Sequence, residues 1–206
     1  VILSSRIGED QLIFGTISNM KKTKGKLLMK AEEIDLALAR ISAEIIEKLS
    51  PEDEFAFIGI RSRGVHLAER LRNKIETILK RSIPSGILDI TLYRDDFTTV
   101  GSLPILRETL IDFNINNLSL VLVDDVLHTG RTIRAAMDGI IDLGRPKRIQ
   151  LAVLVDRGGR ELPIQADYVG KRIPVAADET IEVRLNEKDR EERVVLLRKP
   201  KKSVAE

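Results

Sequence analysis

The chain has 206 residues, 43% of them hydrophobic and only 3% aromatic, and its 34 basic and 32 acidic residues leave a formal charge of +2. That size and balance suit one globular domain with an aliphatic core and give no bulk electrostatic case for nucleic acid. Cysteine is absent, which excludes a disulfide framework, a thiolate metal site and a cysteine nucleophile and fits a reducing cytoplasm, and no apolar run approaches the roughly 20 residues of a membrane span.

The sequence begins at Val1, and residues 1–19 lack a charged segment followed by a long apolar one. They are expected to be a disordered or non-native extension, with translation starting at Met20 or Met29. Residues 20–198 are expected to form the domain and 199–206 a disordered tail. Ile34, Leu38, Ile41 and Ile45 recur on one helical face and predict a helix over 32–49, ended by Ser50-Pro51. FAFIGI at 55–60 reads as a buried strand, followed by the polar turn Arg61-Ser62-Arg63-Gly64. A second amphipathic helix runs to about Leu79, with Leu67, Leu71, Ile75 and Ile78 inward. A strand is expected over 87–93. Residues 94–109 have no clear period and contain Gly101 and Pro104, which makes them a long loop of the functional or mobile kind. The strongest strand is 118–123. A helix over 132–143 is closed by Gly144 and Pro146, and an apolar strand follows at 149–155. Weaker strands are expected near 167–170, 180–185 and 193–198.

This order of elements predicts an α/β fold. Uninterrupted apolar strands imply a mostly parallel central sheet flanked by helices on both faces. Ligands bind such sheets beyond the carboxyl ends of the strands, which points to the loops at 61–64, 94–109, 124–132 and 156–161.

The loop after the central strand carries the sharpest signal. Asp124 and Asp125 stand where its apolar run ends. Two adjacent carboxylates repel and desolvate at a cost unless a partner such as sugar hydroxyls or a metal ion engages them. Thr129-Gly130-Arg131-Thr132 then leads into a helix, whose first amides suit an anion, with hydroxyl donors from Thr129 and Thr132 and charge from Arg131. Turn chemistry with a threonine helix cap is the bland alternative. A Walker-type nucleotide hydrolase is excluded by the lack of a Gly-Lys-Ser/Thr loop; GIIDLGRP at 139–146 has neither the lysine nor the hydroxyl. HExxH, GxSxG and GxGxxG are absent, and His66 and His128 have no metal-ligand spacing.

LVLVDDVLHTGRTI at 120–133 resembles the phosphoribosyl-diphosphate (PRPP) signature of type I phosphoribosyltransferases at every specific position. ILDITLYRDD at 87–96 and LGRPKRIQLAVLVDRGGRELPIQADYVGK at 143–171 are similar to the pyrimidine operon regulatory family among these enzymes, and the likeness runs from about residue 27 to 198. The resemblance implies a type I phosphoribosyltransferase fold with a small β hood. It implies ribose and 5-phosphate binding by Asp124, Asp125, Thr129, Gly130, Arg131 and Thr132, with Asp124 and Asp125 as catalytic residues. It also implies pyrophosphate binding at Arg61, Ser62, Arg63 and Gly64, a hood loop bearing Arg94 and Arg107, and a base-reading segment at Val155, Asp156 and Arg157. The reaction so implied joins uracil and PRPP into UMP and pyrophosphate, with Mg²⁺ carried by PRPP.

The family also implies leader-mRNA binding that sets transcription attenuation, a homo-oligomer of two or more chains, and a cytoplasmic location. Arg40, Arg160 and Lys171 are the candidate RNA contacts. The sequence departs from the family at Ala39, Ala43, Gly159 and Gln165, where polar partners are replaced. Two alternatives stay open: a non-catalytic RNA-binding nucleotide sensor, and a transferase for another base.

Overall fold

A computed structural model describes residues 25–49, 53–93 and 109–198. The expectations for 1–19 and 199–206, and the hood residues Arg94 and Arg107, lie outside the described residues. Five strands form a parallel sheet in the order β3-β2-β4-β5-β6: β2 (Phe55–Ile60), β3 (Ser85–Leu88), β4 (Ser119–Leu127), β5 (Arg148–Asp156) and β6 (Tyr168–Arg172). Helices α1 (Ala31–Lys48) and α2 (Arg63–Leu79) cover one face, and α3 (Arg131–Leu143) covers the other. Alternation along β2 explains both contacts. Phe55 and Phe57 pack with Leu38, Ile41, Leu71 and Ile75, while Ala56, Ile58 and Ile60 pack with Ile133, Ala136 and Ile140.

The chain runs outward from β2 to β3, then returns to β4 on the other side of β2. That reversal opens a crevice at the carboxyl ends of β2 and β4, the position where doubly wound sheets bind ligands. A second, antiparallel sheet, β1-β8-β7, joins the two ends of the described chain: β1 (Lys26–Lys30), β8 (Arg193–Arg198) and β7 (Glu179–Arg184). It is the small β element beside the main sheet. A short helix, α4 (Asn186–Asp189), links β7 to β8.

Three boundaries differ from expectation. β3 ends at Leu88, and residues Thr91–Tyr93 form a 3₁₀ turn. Asp89 Oδ1 accepts both the Thr91 amide and the Thr91 hydroxyl, which closes the chain into that turn. β4 continues through the two aspartates to Leu127, still paired with β5. The buried stripe of α2 stops at Ile75, and Ile78 is 59% exposed. Helical angle alone does not say where the neighbouring layer ends.

Candidate active site

The crevice between β2 and β4 holds a cavity of about 370 Å³. Arg61, Ser62 and Arg63 line it from the turn after β2, and Asp124, Asp125 and Thr132 line it from β4 and the start of α3. Asp89 and Thr91 complete the wall from the turn after β3. These last two were not anticipated; their only signal was a polar pair interrupting an apolar strand. The Arg61 amide donates to Leu88 O at 3.0 Å, which fastens the first turn to the third.

Asp124 is buried and Asp125 half-buried. Each carboxylate accepts the next amide in the chain: Asp125 N to Asp124 Oδ1 at 2.9 Å, and Val126 N to Asp125 Oδ1 at 2.8 Å. Burial, then the neighbouring charge of Asp125, pushes the Asp124 carboxyl well above the usual carboxylate range. Burial also raises Asp125, although the Arg63 charge works against it. The pair therefore carries unused acceptor capacity in a place where ionisation is costly. Sugar hydroxyls or a hard cation relieve both conditions.

The turn that leads into α3 is built from backbone. Gly130 has φ +92°, in the left-handed region, and starts α3 with no side-chain cap. A Cβ there would also meet Ile164 at 3.3 Å. The Thr129 carbonyl accepts the amides of Glu161 (3.0 Å) and Leu162 (3.1 Å), and Thr129 Oγ1 accepts the Arg131 amide at 3.3 Å. Arg131 reaches Glu161 at 2.6 Å, with both side chains about half-exposed. Its head thus braces the outside of the turn.

The pyrophosphate candidates meet the small sheet. Arg63 is forked onto Asp189 of α4, Nε to Oδ2 at 3.0 Å and NH2 to Oδ1 at 2.9 Å. Burial lowers the Arg63 pKa, but the hydrogen bonds and field of Asp189, with Asp125 and Glu182, outweigh it and the net shift is upward. Lys188 of the same turn donates to Ser62 Oγ. Neither Lys188 nor Asp189 was anticipated, since ion pairs between distant segments leave no local pattern.

The base-reading candidates are not brought into this cavity among the described residues. Val155 is core, within β5 between β4 and β6. The Arg157 amide donates to Leu127 O at 3.1 Å, and Asp156 O accepts from Ile173 N at 2.8 Å. The Asp156 carboxylate accepts the Gly158 amide and pairs with Arg160 at 2.8 Å. The Arg157 side chain is buried and donates to Glu179 O at 3.1 Å; burial lowers its pKa despite the field of Glu179. What remains of the loop is Gly158-Gly159, both at positive φ, with Gly159 against the His128 ring.

The RNA candidates have internal partners too. Arg40 pairs with Glu44 and donates to Val169 O at 2.8 Å and Gly170 O at 2.7 Å. Arg160 donates to Ile164 O and His128 O, each at 2.9 Å. Lys171 donates to Leu28 O at 3.0 Å and lies 3.5 Å from Glu33. Ala39 and Ala43, on α1, are exposed. Among the described residues no helix is long and apolar enough to cross a membrane, and no three His, Cys, Asp or Glu side chains cluster as a metal site.

Residues 28–188 match the family model described as phosphoribosyl transferase domain. The chain is 55% identical over 178 residues to "Bifunctional protein PyrR" of Pelotomaculum thermopropionicum, covering 86% of this chain and 98% of that protein. It is 52% identical to the protein of the same name from Thermus aquaticus, covering 84% and 95%. In architecture it resembles a hypoxanthine phosphoribosyltransferase of Staphylococcus aureus, with TM-score 0.66, 20% identity and coverage of 89% and 97%. A hypoxanthine-guanine phosphoribosyltransferase of Bacillus anthracis gives TM-score 0.64 at 22% identity, covering 84% and 98%. At that identity the structural likeness speaks for the fold.

Proposed function

Since the chain belongs to the phosphoribosyl transferase domain family and, within it, to the bifunctional PyrR proteins, we propose that it transfers the phosphoribosyl group of PRPP to uracil, giving UMP and diphosphate. One observation carries the reading: a single cavity joins a cationic turn, a carboxylate pair with Asp124 buried, and the start of a helix. Those are the groups that a diphosphate, a ribose and a 5-phosphate need.

In this reading Asp124 and Asp125 accept hydrogen bonds from the ribose hydroxyls and hold the ring. The bond from the anomeric carbon to the diphosphate oxygen breaks as a uracil nitrogen closes on that carbon, and the proton of that nitrogen leaves to the departing diphosphate or to solvent. Positive charge develops there, and the two carboxylates stabilise it. The turn at Arg61 to Gly64 receives the leaving diphosphate. The amides that open α3, with Thr129 and Thr132, hold the 5-phosphate. Arg131, tied to Glu161, shapes that turn. The 94–109 segment with Arg94 and Arg107 is the proposed cover over the crevice.

The aspartate pair fits a hard cation, since it offers buried carboxylate oxygens whose ionisation lacks a full counter-charge. Mg²⁺ bound with PRPP supplies charge neutralisation for the leaving diphosphate. Val155, Asp156 and Arg157 frame the base, because Val155 lies inside β5 between β4 and β6 and the Asp156 carbonyl and Arg157 amide already have partners.

The second activity is UMP-dependent binding of a leader RNA that sets transcription attenuation, in keeping with the name of the relatives. Arg40, Arg160 and Lys171 contribute positive field there, with their heads anchored in the protein. A homo-oligomer in the cytoplasm completes the reading, and light scattering tests the assembly. The deciding experiment is turnover of labelled uracil with PRPP and Mg²⁺. Turnover of hypoxanthine with none of uracil would overturn the base assignment.

A further inference from the structure

The small sheet touches the pyrophosphate turn through α4 alone among the contacts described above, and it does so with two charged side chains. Asp189 is fixed before it meets Arg63, because its Oδ2 also accepts the Leu185 amide at 3.0 Å. The fork it makes on Arg63 is therefore a rigid one, with side-chain exposures of 22% and 19%. Arg70 of α2 is gripped by Glu187 and Glu192 at 2.7 Å each, which ties the same segment to the helix that the turn enters. These partners lie more than 110 residues apart in the chain, as in the separation of 117 between Arg70 and Glu187. Nothing local dictates them.

We propose that Lys188 is a further cation of the diphosphate subsite, and that Asp189 positions Arg63 within it. The proposal rests on the PRPP-transferase reading above. Ser62 lines the cavity, and Lys188 Nζ lies within hydrogen-bond distance of its hydroxyl, so the ammonium is one hydroxyl away from the bound anion. An ammonium has three donors, and Ser62 takes one. Because Lys188 donates to Ser62 Oγ, the Ser62 proton is left to point towards the cavity, which suits an anion. Asp189 cancels part of the Arg63 charge while fixing its fork. A turn that must hold a diphosphate is then short of positive charge, and Lys188 restores it.

The test uses the full chain and two probes: inorganic diphosphate with Mg²⁺, and UMP, which has no diphosphate. Calorimetric titration of Lys188→Gln should weaken diphosphate binding about 5- to 20-fold and leave UMP binding unchanged, since one charged contact is lost. Lys188→Arg should bind diphosphate as the parent does. In steady state Lys188→Gln should raise the PRPP KM with kcat nearly constant. Asp189→Asn should lower diphosphate affinity in the parent and have little further effect in an Arg63→Lys background. Parent-like diphosphate affinity in Lys188→Gln, or an equal loss for UMP, overturns the proposal and leaves the transferase reading standing. A parent protein that binds neither Mg²⁺-diphosphate nor PRPP overturns both.

Discussion

A Cβ placed on Gly64 would lie 2.3 Å from the carbonyl oxygen of Val123. The first turn of α2 therefore rests on the backbone of β4 one residue before Asp124. That contact sets the spacing between the Arg61 to Gly64 turn and the acid pair, and only glycine allows it. Gly64→Ala must push the two elements apart, because the obstacle is backbone and not a flexible side chain. Overpacking of this kind costs about 1–3 kcal/mol, or roughly 2–4 °C of Tm per kcal/mol in a domain of this size. Misplacement near 1 Å at a reacting centre costs about 10²-fold in rate. A fall of that order in kcat/KM for PRPP is the expected result, and a parent-like value in a folded variant would break the link between this contact and the site.

Asp124→Asn should make the protein more stable and inactive. The carboxyl is raised by burial and by Asp125, so its folded pKa lies above the ordinary value of 3.8. An acid with a raised folded pKa binds its proton more tightly in the native state than in the unfolded one. Between the ordinary and folded values the native state carries more protons, and its stability falls as pH rises through that window. Below 3.8 both states are protonated and the effect vanishes. Asparagine keeps an oxygen for the Asp125 amide and removes the charge. Melting curves from about pH 4 to about pH 8 should show the variant gaining on the parent as pH rises, by roughly 0.5–2 kcal/mol. PRPP-dependent activity should be lost throughout. A variant that melts lower than the parent at neutral pH would mean the carboxylate has a stabilising partner.

Asp125→Ala should leave the fold intact and remove most PRPP-dependent turnover. The side chain lines the cavity and accepts the Val126 amide, a bond to its own neighbour in the chain. Circular dichroism and single-turnover kinetics read the two effects separately. An unchanged rate constant would remove Asp125 from the ribose site.

The strand and helix order was legible because both faces of the main sheet are covered, so its strands are near-continuous apolar runs. β1 was not, since only Met29 of its five residues is buried. An edge strand of a small sheet carries little hydrophobic signal. β3 was misplaced because Ile87 to Tyr93 alternates like a strand, while the Asp89 side chain captures Thr91 and turns the chain. That Asp124, Asp125 and Thr132 share one cavity was legible, since they are close together in the chain. The base-reading assignment of Val155, Asp156 and Arg157 comes from the resemblance alone, and the backbone bonds of this segment to Leu127 and Ile173 are tertiary, with no local pattern to announce them. Lys188 and Asp189 sit in a charged run that looks like any solvated turn.

Arg160→Ala tests whether the loop after β5, the proposed base-reading loop, is held by this side chain. Arg160 joins Asp156, Ile164 O and His128 O, and so spans the loops after β4 and β5. Its loss leaves three acceptors short of partners, at a cost of about 1–3 kcal/mol. The KM for uracil should rise more than the KM for PRPP, because the glycine pair and His128 lose their shared anchor. A gel shift on the leader RNA should weaken as well, through lost field and a disordered loop. Arg160→Lys keeps the charge but not the fork, and should restore RNA binding more than uracil KM. An unchanged uracil KM in Arg160→Ala would show that this arginine does not hold the loop for uracil.

Gly130→Ala separates the phosphate turn from the rest of the site. The residue has φ +92°, and an added Cβ would press on Ile164 at 3.3 Å and Leu162 at 3.4 Å. The left-handed backbone costs a non-glycine residue about 1–2 kcal/mol. The chain escapes that strain by rotating the turn, which turns the first amides of α3 away from the anion. Binding of UMP should then weaken while binding of uridine, which has no phosphate, changes little. The ratio of the two affinities isolates the phosphate contribution from general loosening. In the proposed site several amides and two threonine hydroxyls contribute to that ratio, and charge-assisted hydrogen bonds of this kind are about twice as strong as neutral ones. A ratio in Gly130→Ala reduced by about tenfold is the expected result, equivalent to about 1.4 kcal/mol. A parent-like ratio in a folded variant would mean that the phosphate is held elsewhere than at the start of α3.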